Sequence, residues 1–187
     1  MLKIRDDVNS KDNCLKIAKL LEDSLFPSRM ITYTGVILMV FLGLRLNDVC
    51  AFLIGAFCYK ISVTYLKGKI FGDQLYVISG LLSLVSFFIV CKFIVISEEL
   101  TYGALSLFLM TLIIYLVRRK WKISGHVAAS AGASTVLILV DKVFLPVIIL
   151  VPLIGWSRLK LKAHTLSQVI AGAILGIGVP LYIYLIF

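Results

Sequence analysis

Apolar residues come in long runs along this chain: Met30–Leu44, Val49–Leu66, Leu75–Ile96, Leu100–Val117, Gly125–Val140, Val143–Trp156 and Gln168–Phe187. Only short charged segments separate them. A helix that is apolar on all sides must be buried in protein or in lipid. Crossing a bilayer takes about 20 such residues, fewer where the bilayer thins. With 60% hydrophobic and 16% charged residues and a mean hydropathy of +1.03, the composition excludes a soluble globular domain and a disordered chain. The expected fold is all-α: a multi-pass transmembrane helical bundle of about six or seven spans over residues 30–187. Asp141 and Lys142 alone separate the fifth run from the sixth, which predicts a tight helical hairpin there.

Residues 1–29 have mixed charge. Leu15, Ile17, Leu20, Leu21 and Leu25 recur at roughly helical spacing, with Lys16, Lys19, Glu22 and Asp23 between them. That pattern predicts an N-terminal amphipathic helix at the membrane surface, with a solvated tail helix as the alternative. The first dozen residues lack the apolar core of a signal peptide. Cys14, Cys50, Cys58 and Cys91 form no CxxC pair, and the chain has two histidines, so neither a zinc or redox motif nor a His-rich metal site is expected. Buried, reduced thiols are expected instead.

The net charge of +9 would point to nucleic acid in a soluble protein, but in a membrane protein its location matters more. Each span switches side. The tail and the loops Lys67–Gln74, Arg118–Ser124 and Ser157–Ser167 therefore share one face. Those three loops carry Lys67, Lys69, Arg118, Arg119, Lys120, Lys122, Arg158, Lys160 and Lys162 against the single acid Asp73. The opposite face is close to neutral. Such a concentration fits an anion site, and it also fits the tendency of cytoplasmic loops to be basic. The six basic residues of the tail favour a cytoplasmic face, with an external site as the alternative.

The residues beside the charges favour the anion site. Both histidines open spans on the basic face: His126 follows Lys122-Ile123-Ser124-Gly125, and His164 follows Ser157-Arg158 by five intervening residues. Arg158 can hold two phosphate oxygens with its planar fork. Lys122 and one or more of Lys120, Arg118, Lys67 and Lys69 add point charge. Ser124 offers a hydroxyl, and Gly125 lets backbone amides at a helix start approach an anion. No metal or other cofactor is needed. Gln168, four residues after His164, lies over it on a helix and can accept its ring N–H. That selects His164 as the nucleophile and His126 as the general acid and base.

With these residues the chain resembles the type 2 phosphatidic acid phosphatase superfamily, whose motifs are KxxxxxxRP, PSGH and SRxxxxxHxxxD. Ser124-Gly125-His126 matches the second, with Lys122-Ile123 where an x-Pro pair is expected. Ser157, Arg158 and His164 match the third at its spacing. Gln168 stands where the family has Asp, and it cannot stabilise an imidazolium by charge. No KxxxxxxRP is present. Lys60 with Lys67 and Lys69, or the cluster Arg118–Lys122, could take its place. The resemblance implies a metal-independent membrane phosphatase with a phosphohistidine intermediate, acting on a lipid phosphate or a polyprenyl pyrophosphate. A non-catalytic protein that binds or transports phospholipid head groups is the alternative.

Small residues along the fifth run, and Gly172 and Gly176 in the seventh, predict close helix packing within the bundle, with a homodimer face as the alternative. Trp121 and Trp156 fall where an interfacial aromatic belt would place them. Lys60 lies within a span, so it either snorkels or reaches the site.

Overall fold

A computed structural model of the protein describes residues 2–24, 27–43, 45–67, 73–93 and 95–187. It contains eight α-helices: α1 (Leu2–Ser24), α2 (Pro27–Phe41), α3 (Leu46–Leu66), α4 (Asp73–Cys91), α5 (Glu98–Arg118), α6 (Gly125–Val140), α7 (Leu150–Lys160) and α8 (Leu166–Ile186). A 3-10 segment, Lys142–Ile149, leads into α7. There is no strand among the described residues.

Among the described residues, four helical stretches are long and apolar enough to cross a membrane: Leu46–Leu66, Glu98–Arg118, Lys142–Lys160 and Leu166–Ile186. The other three expected spans give shorter apolar helices: Thr32–Phe41, Ile78–Cys91 and Gly125–Val140. α6 has 16 residues. At 1.5 Å per residue that is about 24 Å, short of a hydrocarbon core of about 30 Å.

Local chemistry sets the helix ends. α2 starts earlier than its apolar run, at Pro27, whose fixed φ suits a first helical position. It stops at Gly43, whose φ of +83° is left-handed. α6 stops at Asp141, whose carboxylate then accepts the N–H of Val143 at 2.8 Å and starts the 3-10 segment. The predicted hairpin at Asp141–Lys142 is thus present, but its second arm begins as 3-10 around Pro146. The expected loop Ser157–Ser167 is shorter, because α7 runs on to Lys160 and carries Ser157 and Arg158 in its last turns.

The centre of the bundle is the α6–α8 seam. A side chain built on Gly176 would meet the Ala128 carbonyl at 2.3 Å and the Gly132 nitrogen at 2.9 Å. One on Gly172 would meet the Ser124 carbonyl at 2.6 Å. Both glycines are therefore spent on close packing inside the chain, the first of the two readings above. The contacts advance in step, 172 with 124 and 176 with 128, so α6 and α8 run parallel. Their N-termini lie at the same end of the bundle.

The opposite end is pinned separately. Asp48, 1% exposed, accepts the Ser97 N–H at 2.8 Å, and Asn47 donates to the Val95 carbonyl at 3.0 Å. Those bonds hold the starts of α3 and α5 together. The Tyr184 hydroxyl at the end of α8 donates to the Glu99 carbonyl at 3.4 Å. The four cysteines are free, and they are not in the core as expected: Cys50 is exposed and the others are half-buried.

Candidate active site

The two histidine segments meet where α6 and α8 begin. The Ser124 N–H donates to the Gln168 carbonyl at 3.2 Å, joining the last residue before α6 to the first turn of α8. The Lys122 backbone lies beside the His164 ring. His126, on the first turn of α6, lies within electrostatic reach of His164, Arg158, Arg118 and Glu22. Both rings and the guanidinium of Arg158 therefore share one end of the bundle.

Arg158 and His164 are set by the turn after α7. The Lys162 N–H bonds the Leu159 carbonyl at 3.0 Å, and the Ala163 N–H bonds the Arg158 carbonyl at 3.1 Å. This pair is the Schellman pattern. It needs a left-handed residue after the helix, which Lys162 supplies with a φ of 52°. The five residues between Arg158 and His164 thus form a hydrogen-bonded turn that fixes one relative to the other.

Gln168 orients the nucleophile candidate through a helix cap. Its Oε1 accepts the Thr165 N–H at 3.1 Å in a capping box, and the same oxygen faces His164 Nδ1 at 3.2 Å. A backbone N–H can only donate, so the atom facing it is the amide oxygen. The ring nitrogen that shares this oxygen must then carry the proton, which leaves Nε2 as the basic nitrogen. Burial lowers the pKa of His164 below the ordinary imidazole value, aided by the Arg158 and Lys122 charges. The bonds from Gln168 and the Lys122 backbone oppose this but do not cancel it. At neutral pH the ring is neutral.

Ser124 is fully buried, and its hydroxyl has no hydrogen-bond partner among the described residues. Leaving such a group unpaired costs about 1–3 kcal/mol. A ligand oxygen would satisfy it. A side chain on Gly125 would stand 3.2 Å from an Arg118 guanidinium nitrogen, close enough to press on that arginine. Arg118 crosses over the start of α6 and donates through Nε to the Ile123 carbonyl at 3.4 Å.

The remaining predicted cations are dispersed. Lys122 has its backbone beside His164 and is itself exposed. Lys120 is exposed in the turn after α5, and the neighbouring Arg119 is turned onto the Tyr115 ring at 4.9 Å. Lys67 ends α3, exposed, and among the described residues nothing ties it to the histidines. Lys69 lies outside the described residues. Of the two substitutes for the first family motif, Arg118 lies within electrostatic reach of His126, and no contact of Lys67 with either histidine is seen among the described residues. Among the described residues no group of three or more His, Cys, Asp or Glu side chains could hold a metal ion.

One residue at this site was not expected. Arg158, 8% exposed, forms an ion pair with Glu22 of α1. The Ser157 hydroxyl donates to the Ala18 carbonyl at 2.6 Å, so α1 is docked on α7 beside the histidines. Glu22 sits among five tail acids that differ little in sequence context, and nothing local marks it out. Compared with protein-family models, with curated proteins and with solved structures, the chain matches none of them.

Proposed function

We propose that the chain is a multi-pass integral membrane phosphatase that hydrolyses a lipid phosphate or polyprenyl pyrophosphate through a phosphohistidine, without a metal. The shorter helices α2, α4 and α6 would complete a seven-span bundle around the four long ones. The observation that carries this reading is the convergence of His164, His126 and Arg158 at one end of the bundle, with His164 held as the Nδ1–H tautomer by Gln168. An apolar tail would lie between helices while the phosphate reaches the charged end.

In the proposed reaction, Arg158, Arg118 and the Ser124 hydroxyl hold the phosphate oxygens. Nε2 of His164 attacks the terminal phosphorus, and its P–O bond to the leaving alcohol or lipid phosphate breaks. His126, as imidazolium, gives its proton to the leaving oxygen. The phosphate brings its negative charge beside His126, which favours that proton. Neutral His126 then takes a proton from water. The resulting hydroxide displaces His164 from phosphorus and frees inorganic phosphate.

The test is phosphate release from lipid phosphates in detergent with EDTA present. His164→Ala is expected to lower the rate at least about a thousandfold without changing the folded state, as loss of a nucleophile does elsewhere. Full activity in that variant refutes the assignment. The uncharged Gln168 gives one ground for a second reading, a head-group-binding protein without turnover. Trapping of phosphate on His164 decides against it, and lipid binding with no phosphate release decides for it.

A further inference from the structure

The guanidinium proposed to grip the substrate is already engaged. Its partner, the Glu22 carboxylate, presents anionic oxygens to the guanidinium, as a phosphate would. Arg158 is 8% exposed, and its Nε is buried without a partner among the described residues. Glu22 keeps 30% of its side chain accessible. The carboxylate therefore reaches in from the rim to an arginine that is otherwise enclosed.

The described part of the helix that carries it is held by little packing. Of the described α1 side chains, only Ala18 is buried, while Leu15, Ile17 and Leu20 are 46%, 52% and 65% exposed. An alanine contributes little apolar area, so packing supplies little of the docking energy. What remains is polar: the Ser157–Ala18 bond, the Arg158–Glu22 pair, and Arg29 of α2 donating to the Asp23 carbonyl at 2.6 Å. Among its described side chains, α1 thus presents one carboxylate to the site and buries little else.

We propose that α1 is an autoinhibitory plug, in which Glu22 occupies the phosphate position on Arg158 and a phosphate-bearing ligand must displace it. This rests on the anion-binding reading of the site, but it does not require turnover. Two anionic groups cannot share one face of the guanidinium without strong repulsion. The closed form lowers apparent affinity by the fraction of molecules in which the arginine is open.

The experiment uses the full chain in detergent with inorganic phosphate as the probe, read by Trp121 and Trp156 fluorescence. Glu22→Gln, which keeps the side-chain volume, is expected to bind phosphate about tenfold more tightly or better, as if nine closed molecules in ten had opened. The double variant E22Q/R158A is expected to lose that gain. In the unaltered chain, saturating phosphate is expected to raise amide hydrogen exchange across residues 12–24. This measurement does not depend on any variant folding, and it separates displacement of α1 from a simple change in local charge. Unchanged or weaker phosphate binding in E22Q overturns the proposal, as does unchanged or slower exchange in α1. Failure of phosphate release from lipids, with these results intact, overturns the enzymatic reading alone.

Discussion

Helices α3 and α6 are both strongly apolar, yet they are used in opposite ways. Ten of the 16 residues of α6 are buried, from Val127 to Leu137, and most are Ala, Ser, Gly or Thr. Only three of the 21 residues of α3 are buried: Asp48, Ala51 and Gly55. Its large side chains face outward, with Leu53 58%, Phe57 64% and Tyr65 67% exposed. Hydropathy does not separate the two helices, but side-chain size does. In lipid, apolar surface gains little by leaving its surroundings, so helices associate where small residues let their backbones approach. The catalytic candidates sit on the small-residue seam, because only close packing holds two rings and a guanidinium at fixed separation.

That contrast can be broken most severely at the seam. Gly176→Ala places a methyl group against the Ala128 carbonyl and the Gly132 nitrogen, so backbone must move. A loss of about 3 kcal/mol is expected, at the upper end for overpacking. Gly80 of α4 and Gly178 of α8 have open space at the same position. Alanine there should change stability by less than about 1 kcal/mol, in the stabilising direction. Thermal unfolding in one detergent compares the three variants, and equal losses would erase the distinction between seam and outer surface.

Gln168→Ala removes the acceptor that sets the His164 tautomer. Phosphate release should fall about 10- to 100-fold, the usual cost of losing such an orienting partner. The helix should also lose part of its cap, so a melt run in parallel separates the two effects. Arg118→Ala should reduce phosphate release about tenfold, roughly the worth of one charge-assisted hydrogen bond. Lys67→Ala, on the outer helix α3, should leave the rate unchanged. A larger effect at Lys67 would reassign the first motif to the α3 end.

The smallest effect is that of pH. Because the His164 pKa is lowered, its nucleophilic neutral form persists below the free-imidazole value of about 6.5. Activity should therefore rise with pH along an acid limb centred below 6.5. Stability follows the same sign. Between the folded and unfolded values the unfolded chain binds the proton more readily, so the His164 contribution is complete above about 6.5 and is lost as pH falls through the folded value. His164→Ala should flatten this part of a stability profile, and an acid limb centred above 6.5 would contradict the lowered pKa.

Much of the site was legible because it is local. The i, i+4 relation of His164 and Gln168 needs only a helix, and the structure has that hydrogen bond. The spacing from Arg158 to His164 is closed by a turn whose bonds span five residues. The alternation of helix ends follows from counting runs, and it brings the Arg118–His126 and Ser157–Gln168 segments together. The Schellman turn itself was not expected, because its left-handed position is held by Lys162 and not by the usual glycine.

What the chain determined by itself is the helical class, the pairing of His164 with Gln168 and the spacing of Arg158 from His164, because each depends on residues within a few turns of one another. Tertiary structure decided the rest. It chose the α6–α8 seam as the core and left the large apolar residues of α3 outside. It brought Arg118 within electrostatic reach of His126. It also joined Glu22 to Arg158 across 136 residues. Contacts of that separation depend on which helices can approach closely, and apolar pattern alone does not encode that choice.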